Sequence, residues 1–340
     1  MSKLIVYLFY TIIILSSVLP ALSIEPFSAV GFALASGLGY KYFDTIKLNT
    51  YCKFKECCNS DVIPHDILSL KNKLDSKLFG QHIAQEKVFK AIASHYENIE
   101  DSKKPLVMTF HGTQGTGKNF VASMIAEAVF EKGIKSEHFH MFHGSQYSDS
   151  SKVFEHKREI REKIEDAVLK CPYSMFVFDE VDKCPQGIFN GITSLLDHHT
   201  LIRGKDLKKS IFIFLTNFGG EEITKILHHL MYKDAFFRHQ AKLHHFEETI
   251  RIGSYNKEGG LKETELIKAA VIDFYIPFLP LEEKHVVECI KEEFKSCLGF
   301  NPKQEVIDEI LKYIGFNTVT KFAHTGCKTV YAKVLVECTS

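Results

Sequence analysis

No stretch restricts the fold of this chain more than Gly112-Thr113-Gln114-Gly115-Thr116-Gly117-Lys118-Asn119. It follows the apolar run Leu106–Phe110 and opens the segment Asn119–Phe130. There Phe120, Val121, Met124, Ile125, Ala128 and Val129 recur on one helical stripe. A strand, a glycine-rich turn and an amphipathic helix in direct succession are what a phosphate-cradling loop requires. The glycines leave backbone N–H groups free to wrap an anion, and the helix N-terminus adds positive potential there. Lys118 is placed to reach the β- and γ-phosphates of a nucleotide. Such loops ordinarily end in Ser or Thr, whose hydroxyl ligates magnesium. Here the position is Asn119. Its carboxamide oxygen can ligate the ion or a water bound to it, which predicts that binding survives and hydrolysis is slow.

Two further runs supply the groups that hydrolysis needs. Phe176-Val177-Phe178 ends in Asp179-Glu180. Asp179 is placed to hold magnesium, and Glu180 to polarise the attacking water as general base. Ile211–Leu215 ends in Thr216-Asn217, whose amide would stand between the γ-phosphate and that water. With Phe139–Phe142 and Val271–Ile276 these runs alternate with amphipathic helices. Near-continuous apolar strands covered on both faces predict an α/β fold with a doubly wound parallel sheet. Beyond Pro277 and Pro280 the rhythm changes. Glu282–Leu298, Lys303–Tyr313 and a last segment to Val336 read as a small C-terminal helical domain.

The amino terminus carries an address. Lys3 precedes the apolar run Leu4–Leu15, and Ala21 and Ser23 fit a signal-peptidase site, giving a signal peptide over residues 1–23. A second uncharged apolar stretch, Phe27–Gly39, is short for a bilayer span, so residues 24–50 are expected to be a membrane-associating segment and linker. The domains expected after it are a large nucleotide-binding one over 51–279 and the helical one over 280–340. Nine cysteines suit an oxidising compartment. Cys52, Cys57 and Cys58 have no second paired Cys or His element that would complete a zinc site. Lys+Arg and Asp+Glu both number 42, so the basic excess typical of nucleic-acid binders is missing and no such partner is expected. No Cys-x-x-Cys motif supports a disulfide exchanger.

The order of the glycine loop, the Asp-Glu strand and the Asn217 strand resembles the AAA+ class of P-loop NTPases. Leu78-Phe79-Gly80-Gln81 is similar to the segment lining the adenine pocket in Clp-type members, and Val271-Ile272-Asp273-Phe274 to the strand that closes their large domain. Four stretches narrow the resemblance to torsins: the loop ending Gly117-Lys118-Asn119, the run from Phe274 to Glu282, Gly326-Cys327-Lys328-Thr329-Val330, and Tyr51-Cys52-Lys53-Phe54-Lys55-Glu56-Cys57-Cys58. It spans Tyr51 to Lys333. It implies an ATP- and Mg2+-using ATPase of the endoplasmic reticulum and nuclear envelope lumen, in homo- or hetero-oligomers, with peripheral membrane contact. Lys328 would be the sensor that reaches the nucleotide from the small domain. Cys289 with Cys327 would form a redox-sensitive pair, Cys52 with Cys171 a structural one, and Cys57 with Cys58 a vicinal one. Clp-type subunits place an arginine before the Ile-Asp of the closing strand, where this chain has Ala270-Val271. Arg203, Arg238 and Arg251 read as surface or structural residues. The torsin resemblance implies that the lumenal domain of a transmembrane activator donates the arginine. Between Phe139 and Cys171, Tyr147 sits in a serine-rich loop without the Gly-aromatic-x-Gly tetrad of threading unfoldases. The alternative to an activated ATPase is a nucleotide-controlled assembly module with little turnover.

Overall fold

The computed structural model describes residues 56–197 and 201–339. The expected signal peptide, the apolar segment after it and Cys52 lie outside the described residues. Among the described residues no helix is long and apolar enough to cross a membrane.

Helices α1 (Ile67–Lys77) and α2 (His82–Glu97) precede β1 (Leu106–His111) and α3 (Lys118–Val129). The chain continues through β2 (Phe139–His143), α4 (Val153–Lys170), β3 (Met175–Asp179) and the short α5 (Thr193–Leu196). A two-stranded ribbon, β4 (Leu201–Ile202) with β5 (Lys205–Asp206), leads into β6 (Ile211–Thr216), α6 (Gly220–Tyr232), α7 (Glu247–Asn256), α8 (Glu265–Lys268) and β7 (Phe274–Pro277). Last come α9 (Glu283–Leu298), α10 (Gln304–Ile314) and α11 (Val330–Thr339).

The main sheet has the order β2-β3-β6-β1-β7 and every pairing in it is parallel. The doubly wound sheet expected from the sequence is therefore present. Its inner strands β1, β3 and β6 are buried almost throughout, covered on both faces, while the edge strand β2 is mostly half-buried. Alternation along a strand sends Phe212 and Phe214 into one layer, with Ile160, Ile164 and Val168 of α4. Ile211, Ile213 and Leu215 enter the other, with Val121, Met124 and Ile125 of α3. In the first layer Phe142, Phe178 and Phe214 stack across three strands, with ring centroids 4.8 and 4.9 Å apart.

The structure corrects three details. Phe120, expected on the buried stripe of α3, is 47% exposed because it faces a cleft and not the sheet. The closing strand is Phe274–Pro277, shorter than Val271–Ile276, since Val271 and Ile272 pack in a loop. Cys171 pairs with Cys58, at a Cα separation of 5.5 Å, so neither Cys52–Cys171 nor a vicinal Cys57–Cys58 bond forms. The reason is local: a turn begun at Asn59, whose carbonyl accepts from the Val62 and Ile63 N–H groups, starts the packing of this end of the chain, and partly buried Cys58 lies in the α3-side core beside Cys171. The Cys289–Cys327 pair is present as expected, and a Cys297–Cys338 bond joins α9 to α11.

The last three helices carry an apolar cluster of their own, including Val286, Ile290 and Phe294 of α9, Ile307, Ile310 and Ile314 of α10, and Val330 and Val334 of α11. The spacing of these residues, three and four apart, is what places them on single helical faces.

Candidate functional site

The C-terminal ends of β1, β3 and β6 lie side by side, which is where a parallel sheet with crossover helices opens a crevice. A cavity of about 430 Å³ occupies it. Its walls include Gly115–Asn119, Asp179, Glu180, Asn217 and Lys328, so residues from four distant stretches of sequence converge there. Gln114 also lines the cavity, whereas Gly112 and Thr113 sit behind it as backbone acceptors for Lys118.

Lys118 begins α3, and its ammonium donates to the carbonyls of Gly112 at 2.6 Å and Thr113 at 2.9 Å and to Asn217 Oδ1 at 3.2 Å. Burial lowers its pKa from 10.5 to about 8, against the pull of Asp182 and Asp179. A cation held by neutral oxygens in a dry place is a ready partner for an anion. Asn119 Nδ2 donates to Asp179 Oδ2 at 2.7 Å, joining the two residues expected to share magnesium. Asp179 Oδ1 accepts from the Glu180 N–H at 2.8 Å. Glu180 has a left-handed backbone, φ 54°, a conformation that disfavours side-chain-bearing residues and recurs at functional sites. Its carboxylate accepts from Lys183 Nζ at 2.7 Å.

Asn217 is fixed by a residue that sequence reasoning missed. Asp182 accepts from the Asn217 N–H at 3.1 Å and from Thr216 Oγ1 at 3.2 Å. Its only signal in the sequence was its place two residues after Glu180. Gln81, buried, was missed as a polar clamp. Its Nε2 donates to the Thr116 carbonyl at 3.0 Å and the Leu279 carbonyl at 2.8 Å, while its Oε1 accepts from the Leu279 N–H at 2.7 Å.

The turn that leads into α11 closes the site over the glycine loop. The Cys327 N–H donates to the Gly115 carbonyl at 3.0 Å, and Lys328 Nζ donates to Gln114 Oε1 at 3.3 Å. Only glycine fits at 115: φ is 74°, and a Cβ there would lie 1.8 Å from the Thr325 carbonyl oxygen. The rest of the lining is more apolar, with Leu78, Phe79, Leu281, Cys289 and Val330, and it also includes Lys77, Glu292 and Glu293. Of Arg203, Arg238 and Arg251, the last pairs with Glu248 on the surface of α7, while Arg238 is 8% exposed. Elsewhere among the described residues, one group of three metal-ligating types lies together, Cys58, His138 and Cys171. Its two sulfurs are joined to each other, and a disulfide sulfur offers no thiolate.

Comparison with known proteins bears on this arrangement directly. The torsin family model matches residues 52–178. A torsin-like protein of Drosophila melanogaster is 40% identical over 323 residues, covering 93% of this chain and 93% of that protein. The chain belongs to the torsin family. A torsin-like protein of Caenorhabditis elegans is 35% identical over 317 residues, covering 91% of this chain and 87% of that one. Among solved structures, a closed-state cryo-EM reconstruction of Hsp104 with ATPyS and FITC casein superposes with a TM-score of 0.56 at 16% identity. It covers 86% of this chain, and this torsin spans 50% of that longer one. The likeness shows the AAA+ fold: a parallel α/β sheet of the P-loop NTPase kind followed by helices.

Proposed function

We propose that this torsin-family chain binds ATP with magnesium, hydrolyses it slowly by itself, and is activated by an arginine from a partner. The observation that carries the reading is the convergence of Gly115–Asn119, Asp179, Glu180, Asn217 and Lys328 on one cavity. The donor set fits the ligands. The glycine loop offers backbone N–H groups, Lys118 hydrogen-bonds to neutral oxygens alone, and Asp179 beside Asn119 supplies hard oxygens for a divalent cation. Magnesium would neutralise charge building on the β- and γ-phosphates. Lys118 and the loop hold those phosphates, Lys328 approaches from the helical side, and Glu180 takes the proton of the attacking water. Asn217, steadied by Asp182, orients that water.

Among the described residues no arginine lines the cavity. An arginine finger can raise turnover by roughly 10³–10⁵, so its supply in trans accounts for a slow enzyme that waits for a partner. By family likeness we place the protein in the endoplasmic reticulum lumen and nuclear envelope, peripherally on the membrane, in homo- or hetero-oligomers that remodel proteins or membranes. The lumenal domain of a transmembrane protein is the activator. The separate apolar cluster of α9–α11 supports a small helical domain over 280–340 beside a large one over 51–279. The test is ATP turnover with and without candidate lumenal domains: weak activity that rises on addition supports the reading, and strong unassisted turnover overturns it.

A second reading, a nucleotide-controlled assembly module with little turnover, draws on Asn119, whose amide is bonded to Asp179. Substituting Glu180→Gln separates the two. It traps ATP and the activator complex if hydrolysis drives function, and changes little if it does not.

A further inference from the structure

We infer that Arg238, which does not line the cavity, is a positioning residue that holds two apolar parts of the cavity wall, at Phe79 and Leu281, at their working separation. The inference rests on the reading of that cavity as an adenine-nucleotide site. The guanidinium is buried and divided between two elements. Nε and Nη2 donate to the Gly80 carbonyl at 3.2 and 2.8 Å, and Nη1 donates to Glu282 Oε1 at 3.2 Å.

Each of these partners adjoins a wall of the cavity. Gly80 follows Phe79, which lines it, and precedes Gln81, which clamps the Thr116 carbonyl of the glycine loop. Glu282 follows Leu281, which also lines it, and caps α9, the helix that brings Cys289 to the same space. The two sides are in direct contact. A Cβ at Gly80, where φ is 72°, would lie 2.9 Å from the His285 ring of α9. The short turn that carries Arg238 is held a second time at the start of α2, where His82 Nε2 meets the Ala241 carbonyl at 2.7 Å. It acts as a strap across the junction between the start of the α/β unit and the first C-terminal helix. Arginine suits the task because a planar fork bonds a carbonyl and a carboxylate at once, which a lysine ammonium does less well.

Loosening the strap lets Phe79 and Leu281 move apart, so the base is held less well, while the phosphate end keeps its shape because Gln81 stays bonded to the Leu279 backbone and to the Thr116 carbonyl. The test compares Mg-ATP with Mg-tripolyphosphate, which has no base, on the full folded protein. In R238M the Glu282 carboxylate keeps Lys284 as a partner at 3.0 Å, so it is not stranded. ATP affinity is expected to fall about tenfold, tripolyphosphate affinity to hold, and R238K to recover part of the loss. E282Q keeps the Gly80 bonds and shows a smaller loss of the same kind, and it serves if R238M does not fold. ATP affinity unchanged in both variants, or equal loss of ATP and tripolyphosphate, overturns the inference. The wild-type result alone decides whether the cavity takes ATP; if it does not, the strap has no base to position and the inference falls with that reading. The ratio of variant to wild type decides the role of Arg238.

Discussion

Lys118 carries its charge where water barely reaches, and its linkage to pH follows from that. Its pKa in the folded chain is about 8, below the 10.5 of a free lysine. The unfolded chain therefore holds the proton over a range in which the folded one releases it, and stability rises as pH climbs from about 8 toward the unfolded value. A bound triphosphate favours the charged form, so the sign for binding is opposite. ATP binding near pH 8 should take up protons, and affinity should fall between about pH 7 and 9. Calorimetry in buffers of different ionisation enthalpy measures the uptake; none, with pH-independent affinity, would place the charge elsewhere. Asp182 makes a second prediction. Asp182→Asn removes the charge that fixes Asn217, so turnover should drop about tenfold with little change in ATP affinity. Lys118, Asp179, Glu180 and Asn217 were legible because each ends a contiguous motif. Asp182 and Gln81 were not: the Gln81–Leu279 bonds join residues 198 positions apart, and nothing local announces them.

At the scale of elements, periodicity placed the strands and the C-terminal helices within a few residues, because alternation and three-four spacing are properties of neighbouring side chains. It misplaced Phe120, since an apolar stripe does not say which of its edges meets a cleft. The stacked phenylalanines carry much of the sheet's packing. Phe214→Ala should cost about 3–5 kcal/mol, read as a lower urea midpoint with the slope unchanged. The cysteines gave the least at this scale. Cys58 is bonded to Cys171 across 113 residues, and spacing along a chain does not set distance in space. Peptide mapping without reduction should recover Cys58 joined to Cys171, and a Cys52–Cys171 peptide would contradict the structure. Closing so long a loop is worth roughly 2–5 kcal/mol, so Cys58→Ser should lower unfolding stability by that order.

On the scale of the whole molecule, the cavity proposed to take the nucleotide is a seam. The glycine loop follows β1 and Lys328 lies in the turn before α11, and the two meet backbone to backbone at Gly115 and Cys327 and side chain to side chain at Gln114 and Lys328. Gly115→Ala should force the two apart, since the added carbon would overlap the Thr325 carbonyl. ATP affinity should fall steeply while the fold, followed by circular dichroism, persists. Cys289–Cys327 ties the same seam to α9. Reduction should therefore shift ATP affinity, and identical affinities in oxidising and reducing buffer would detach the disulfide from the site.

The sequence by itself determined the α/β alternation, the glycine loop and its lysine, the carboxylate pair, and the helical end of the chain. All of these are written in runs of adjacent residues, where sterics and hydrophobic periodicity act over a few positions. Only the tertiary structure decided that Cys171 bonds to Cys58, that Asp182 steadies Asn217, that Gln81 locks the loop to Leu279, and that Arg238 straps two walls together. Those pairings depend on where packed layers bring remote segments, and burial makes each polar group find whichever partner the packing leaves within reach.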